Sequence, residues 1–291
     1  MQTWLAISNA SAGSSDEETI AAALAILRGT AEVTHVATQN PDHLAETLAE
    51  HPDVDLVVTM GGDGSLHAVV QALHDADRLP DTPVALVPLG TGNDFARTLE
   101  LPEDPLDAAH ALLRGEVRRI DLILNGSGMV VVNAAHVGIG AEAAARAEPF
   151  KKFLGPLAYA VGALSTLFTR SAHARITIDN DQIDGHVAQV AVGNGRFVGG
   201  GGELLPRAVV DDGKMDVAVA FAASTTRRIL YALHLRRGTH PDQDFVHYAR
   251  ATSVHVKGEH MRCTTDGELT DPAGEHRWQV LDGGLAMRLP G

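Results

Sequence analysis

A single cysteine, Cys263, stands in 291 residues, so no internal disulfide can close. That excludes a disulfide-stapled scaffold and fits a reducing, cytoplasmic setting. Burial as a small apolar side chain is the expected fate of this thiol. Basic residues are also in deficit, 23 Lys and Arg against 37 Asp and Glu, for a formal charge of -14. This balance argues against nucleic acid as a partner and against general adhesion to anionic membranes, while leaving room for a local basic face. No apolar run reaches the 18 residues that a membrane-spanning helix needs. The nearest, Phe153 to Phe168, is broken by Gly155, Pro156 and Gly162. The opening "MQTWLAISNA" lacks the basic, apolar and small-residue order of a signal peptide, so none is expected. The 15 histidines are scattered without a paired spacing that reads as a transition-metal site. Neither G-x-x-x-x-G-K-[ST] nor G-x-G-x-x-G with a downstream acid occurs, which excludes the two commonest phosphate-binding fingerprints.

What the first third does contain is a repeated unit. Trp4 to Ser8 reads as a strand, and a helical run follows from Asp16 to Arg28, with Ser15 and Glu18 spaced as a capping box. Val33 to Thr38 reads as the next strand, and Pro41 to Glu50 as a helix with proline in its first turn. "LVVTM" then "GGDG" precedes a helix from Ser65 to Ala76, and "PVALVP" then "LGTGND" precedes "FARTL". Strands alternating with helices predict a parallel sheet covered on both faces. In such sheets ligands bind at the carboxyl ends of the strands. All three glycine-bearing loops are predicted at that edge, converging on one crevice.

"LVVTMGGDGSLH" poses the sharpest question. Its glycines would let backbone N–H groups approach phosphate oxygens, and the following helix dipole favours negative charge. Asp63 would repel those phosphates unless something mediates. It could hold Mg²⁺, directly or through water, or accept a hydroxyl or backbone hydrogen bond, or simply cap a tight turn. Repetition of the pattern in "SNASAG" and "PLGTGNDFAR" favours phosphate binding.

After Asp121 the texture changes to short strand-like runs separated by turn signals such as Asp179-Asn180 and Asp184-Gly185. A second, mainly antiparallel domain is expected over 126–291, after an α/β domain over 1–125. The last strand, near Leu285 to Leu289, could return to the first. Two helical interruptions stand out, near Phe150 to Arg170 and near Ser224 to Arg237. The Gly-dense "GNGRFVGGGGELLP" (Gly193 to Pro206) is expected as a mobile loop, either at the entrance of a substrate cleft or as a long turn.

"NASAG", "GGDGSLH" and "PLGTGNDFAR" together resemble the three nucleotide motifs of the diacylglycerol kinase-type lipid kinases, the family that includes sphingosine and ceramide kinases. "DDGKMDV" (Asp211 to Val217) and "TDGE" (Thr265 to Glu268) resemble its later motifs. GGDG alone is shared with NAD kinases and phosphofructokinases; GTGNDFA with a late DGE is more specific. The sequence departs at Ala10, where the family usually has Pro, and at His67, where it usually has Asn. Neither change removes a charged group.

The resemblance implies a flavodoxin-like α/β nucleotide domain, a β-sandwich lipid domain, and transfer of phosphate from ATP to the primary hydroxyl of a lipid, diacylglycerol first among candidates. By the same resemblance Asn9, Ala10, Ser11, Ala12, Gly13, Thr38, Gly61, Gly62, Asp63, Gly64, Ser65, Leu66, His67, Thr91, Gly92, Asn93 and Asp94 would line ATP. Glu268 would be the general base, with Asp121 supporting it and Asp63 completing the catalytic acids. Asp212, with the carbonyls of Val209 and Lys214, would hold a structural Mg²⁺. From the residues alone, Asp212-Gly213 is also a good turn and Glu268 a solvated hairpin position. The lipid would be met at the membrane surface. Either "PFKKFLGPLAYAVGALSTLFTR" or "STTRRILYALHLRRGTH" could lie there as an amphipathic anchor, or both could pack on the sandwich. A homodimer through the second domain is compatible with the sequence. Two other readings stay open: a kinase of soluble substrates like NAD kinase or phosphofructokinase, and a nucleotide-binding regulator without turnover.

Overall fold

In the computed structural model, residues 1–10, 14–138, 141, 171–221 and 224–290 are described, with 14–16 described by backbone alone. The Ser15 capping box and the segment Phe150 to Arg170 therefore lie outside what is described. The chain forms two compact units, residues 1–122 with 282–291, and residues 123–281.

The first unit is built from strands β1 (Thr3–Asn9), β2 (Glu32–Thr38), β3 (Leu56–Gly61) and β4 (Val84–Pro88), interleaved with helices α1 (Ser14–Arg28), α2 (Pro41–Glu50) and α3 (Asp63–Asp75). Helices α4 (Asp94–Thr98) and α5 (Pro105–Leu113) follow, then β5 (Glu116–Asn125). The strands run parallel in the order β2-β1-β3-β4, as the βα repeat requires. β3 and β4 are apolar at nearly every position because both faces are covered. One face packs Trp4, Ala6, Val58, Met60, Ala85 and Val87 against Leu24 and Leu27 of α1 and Leu112 of α5. Each such large side chain contributes about 1.5–3 kcal/mol through burial.

α2 begins as read: Asn40 Oδ1 accepts from the His43 amide at 2.9 Å and Pro41 opens the helix. α3 starts at Asp63, two residues earlier than its apolar pattern predicts. The final strand of the chain returns here, pairing parallel to β4 at Met287 and Val84.

The second unit is a β-sandwich. One layer is the six-stranded sheet β14-β13-β10-β7-β16-β17. Its strands are β7 (Ala134–Gly138), β10 (Gln189–Gly193), β13 (Met215–Ala220), β14 (Val246–Ala251), β16 (Cys263–Thr265) and β17 (Glu268–Leu269). The facing layer contains β6 (Val130–Val131), β8 (Ala172–Ile178), β9 (Asp181–Val187), β15 (Ser253–Met261) and the first part of β18 (Ala273–Leu289). Between them Ile176, Val190, Val217, Val219, Val256 and Trp278 form the core. α6 (Thr225–Leu235) packs outside the six-stranded sheet.

Two expectations change. The Gly-dense loop is a hairpin of β11 (Phe197–Val198) and β12 (Gly202–Glu203), turned by Gly199 to Gly201, all at positive φ. Asp184-Gly185 is not a turn but the middle of β9. Gly185 is small because the Phe221 ring lies over it, 3.3 Å from where a Cβ would stand.

Candidate active site

In the first unit, β1, β2 and α3 enclose a cavity of about 250 Å³ at the carboxyl edge of the sheet. Four residues singled out from sequence line it: Asn9, Thr38, Gly64 and Ser65. Asn9 and Thr38 are register partners on β1 and β2, and the Ala10 amide donates to the Thr38 carbonyl at 2.9 Å. Gly64 and Ser65 come from the first turn of α3, where free amides accumulate and the dipole favours an anion. Leu66 and His67 point elsewhere; they are buried, at 1% and 5% exposure. Ser11, Ala12 and Gly13 lie outside the described residues.

The GGDG loop is tied to the GTGND loop rather than left open. Both Asp63 oxygens accept backbone hydrogen bonds, Oδ2 from Asp94 and Oδ1 from Phe95, each at 2.9 Å. The carboxylate thus caps α4 in place of its N-cap residue, Asn93, whose side chain makes no cap bond. Asn93 sits in the left-handed region at φ 50 and its Nδ2 donates to the Gly90 carbonyl at 2.7 Å. The loops touch through glycine: a Cβ on Gly90 would stand 2.7 Å from the Gly62 Cα. A Cβ on Gly61 would strike the Ser65 side chain. Gly92, Asn93 and Asp94 therefore pack beside the GGDG turn, and none of Thr91 to Asp94 lines this cavity. Asp121, 1% exposed on β5, accepts from the Gly283 amide at 2.8 Å and fixes the end of β18.

In the second unit, Glu268 is exposed at the end of a two-residue hairpin turn joining β16 and β17. Asp266 and Gly267 both take positive φ, 47° and 92°, the type I′ geometry that Asp-Gly favours. Sequence reasoning took Asp266 only as a turn residue. Its carboxylate accepts three amides of the β6–β7 connection: Val132 at 2.7 Å, Asn133 at 2.9 Å and Ala134 at 3.0 Å. That fixes the direction from which Glu268 is presented. An Asp in a left-handed turn position, followed by Gly and Glu, was the available signal. Beside the hairpin, Thr265, Thr270, Cys263 and Trp278 line a cavity of about 510 Å³. Cys263 is a buried thiol, its pKa pushed up to about 11 by desolvation.

Asp212, also in the second unit, accepts from the Lys214 amide at 3.1 Å and pairs with Arg250. Val209 is at the surface, 39% exposed. A carboxylate with two backbone carbonyls is an all-oxygen donor set suited to a hard divalent cation. Asp216 beside it is fully buried, and desolvation raises its pKa to about 6.

Residues 3–124 match the diacylglycerol kinase catalytic domain, and residues 133–287 match the YegS C-terminal NAD kinase beta sandwich-like domain. The chain belongs to the diacylglycerol kinase and YegS-like lipid kinase family. The chain is 36% identical over 238 residues to a Pseudomonas aeruginosa protein named "Probable lipid kinase YegS-like", covering 80% of this chain and 76% of that one. It is 32% identical over 241 residues to a Bacillus subtilis "Diacylglycerol kinase", covering 81% and 78%. A crystal structure of a diacylglycerol kinase from Bacillus anthracis superposes with a TM-score of 0.80 at 24% identity, covering 99% of this chain and 96% of that one. That likeness shows the fold of the chain, an α/β domain followed by an antiparallel β-sandwich.

Proposed function

We propose that this chain transfers the γ-phosphate of ATP to the primary hydroxyl of a lipid, with diacylglycerol the leading acceptor. The observation that carries the reading is the convergence of Asn9, Thr38, Gly64 and Ser65 on one cavity at the sheet edge. Bound there, ATP would supply the phosphoryl group, and Mg²⁺ would neutralise phosphate charge. Asn9, Thr38 and Ser65 offer side-chain hydrogen-bonding groups to the nucleotide, and the α3 amides offer donors to phosphate oxygens. Asp63 keeps the glycine turn in place through α4; it is a positioning residue. Glu268 accepts the proton of the acceptor hydroxyl as that oxygen bonds to phosphorus and the bond to the departing diphosphate breaks. Asp266 and Asp121 hold the strands that carry the chemistry. The cavity beside the Glu268 hairpin supports a substrate with both an apolar body and polar groups, since Trp278 and Ala273 line it together with Thr265, Thr270 and Ser127. Asp212, with the carbonyls of Val209 and Lys214, would hold a structural Mg²⁺.

The test is phosphate transfer from labelled ATP with Mg²⁺ to micelles of diacylglycerol, a sphingoid base, a polyprenol and a glycolipid, with NAD and fructose 6-phosphate in parallel. Transfer to one lipid supports the reading and names the acceptor. Transfer only to a soluble acceptor overturns it, as does ATP binding without transfer to any.

A further inference from the structure

Helix α6 divides into two unlike faces. Ser224 caps it, accepting from the Arg227 amide at 3.3 Å, and Tyr231 and Leu235 pack toward Ala188, Ala220 and Phe245. Arg228 and Tyr231 are its buried side chains. On the other side Ile229, Leu230 and Leu233 are 44%, 40% and 56% exposed. At 3.6 residues per turn these three fall within about 100° of arc, one continuous stripe. Among the described residues only seven large apolar side chains are this exposed, and three of them are here. A stripe of that kind is unfavourable in water and marks a contact surface.

The charge around the stripe is the opposite of the chain's. Residues 224–240 hold four arginines and no acid, in a protein with a net charge of -14. Arg236 and Arg237 are exposed at the C-terminal end of the stripe. Of the nearby acids, Asp242 is engaged with Arg207 at 2.7 Å, Asp244 pairs with Arg227 of the helix itself at 3.7 Å, and the Glu203 carboxylate lies against Gly238, so Arg236 and Arg237 carry the exposed positive charge of the patch. An otherwise acidic molecule would be repelled by an anionic surface, so this patch dictates which side could approach one.

We infer that α6 is a docking surface for an anionic lipid bilayer, its apolar stripe entering the interface and Arg236 and Arg237 meeting the headgroups. An apolar strip with flanking guanidinium groups is the chemistry of an in-plane interfacial helix, whereas the same face of a second copy would offer an apolar stripe but no anionic partner for Arg236 and Arg237. The inference deepens the lipid-acceptor reading and rests on it for its purpose, but binding can be measured without turnover.

The experiment is co-sedimentation of the full chain, without nucleotide, with vesicles of phosphatidylcholine alone or with 30% phosphatidylglycerol. Wild type, R236E/R237E and I229D/L233D are compared, each checked for an unchanged melting temperature, which exposed positions permit. Binding should require phosphatidylglycerol, weaken with salt, and fall about thirtyfold or more in R236E/R237E. I229D/L233D should lose binding comparably. Both variants should keep wild-type kcat on a dissolved short-chain diacylglycerol and lose activity on vesicle-embedded substrate. Vesicle binding lost in the variants, with no lipid phosphorylated by any form, sustains the surface and removes only the kinase reading. Wild-type binding by both variants overturns the inference. So does a wild-type dimer in sedimentation velocity that the variants abolish without changing vesicle binding.

Discussion

Asp63 and Phe95 lie 32 residues apart, yet the carboxylate of the first accepts the amide of the second at 2.9 Å, with the Asp94 amide on its other oxygen. The acid in the GGDG turn is thus bound to the helix that follows the GTGND turn. Charge-assisted bonds of this kind contribute about 1.5–3 kcal/mol each. D63A removes both and should therefore lower stability by about 3 kcal/mol, the lower end of their sum, and reduce phosphate transfer through loss of loop position. D63N should fare little better, because its amide presents a donor to one of two backbone donors. Urea denaturation with parallel kinetics decides; a D63A protein of native stability would contradict the assignment.

The two loops also predict opposite outcomes for two glycines. An alanine at Gly90 would press on the Gly62 Cα and on the Asn93 side chain, both at 2.7 Å. Overpacking of backbone against backbone should cost about 1–3 kcal/mol. An alanine at Gly64 meets no protein atom within 4 Å, and Gly64 lines the cavity of the first unit. G64A should keep native stability while raising KM for ATP. Thermal melts and ATP titrations of the pair separate the effects.

Asp266 predicts a split between stability and base placement. D266A removes an acceptor for three amides and should destabilise the protein by about 2–3 kcal/mol. The fraction that remains folded should show a reduced kcat with KM for ATP unchanged, since the nucleotide cavity is formed by other strands. A rise in KM for ATP with native kcat would refute this role.

His240 sets a pH dependence. It is fully buried, its Nε2 sits 3.0 Å from the Leu204 carbonyl, and desolvation lowers its pKa to about 4. A folded pKa below the unfolded value of 6.5 means stability is present above pH 6.5 and is lost as pH falls toward 4. The full effect is on the order of 3 kcal/mol. Asp216, raised from 3.8 to about 6, works in the opposite sense across an overlapping window. The clean measure is therefore the difference between wild type and H240Q, which should shrink the acid-side loss between pH 6.5 and 4.

Much of this was legible. The βα repeat gave the parallel sheet because its signals are local: Pro41 at a helix start, apolar strands, glycine at turns. The β-rich second half announced itself by short runs and turn residues. What escaped was set by contacts distant in sequence. Gly185 carries the signature of a turn, but the Phe221 ring above it makes it a strand residue. The last strand, expected near Leu285 to Leu289, is the end of a longer one: β18 starts at Ala273 and continues through Asp282-Gly283, with Gly283 at φ 56° and its amide bound to Asp121. Asp63 could not be assigned from its own loop, because its partners belong to another. Asp266 looked like half of a turn until the β6–β7 amides were found around its carboxylate.

The most direct test of the account is the rate of E268Q with ATP, Mg²⁺ and diacylglycerol. Glu268 is exposed, so the change should leave folding intact. A general base contributes about 10²–10⁴ in rate, and kcat should fall by that factor with ATP binding unchanged. A variant that phosphorylates diacylglycerol at the wild-type rate would contradict the central claim.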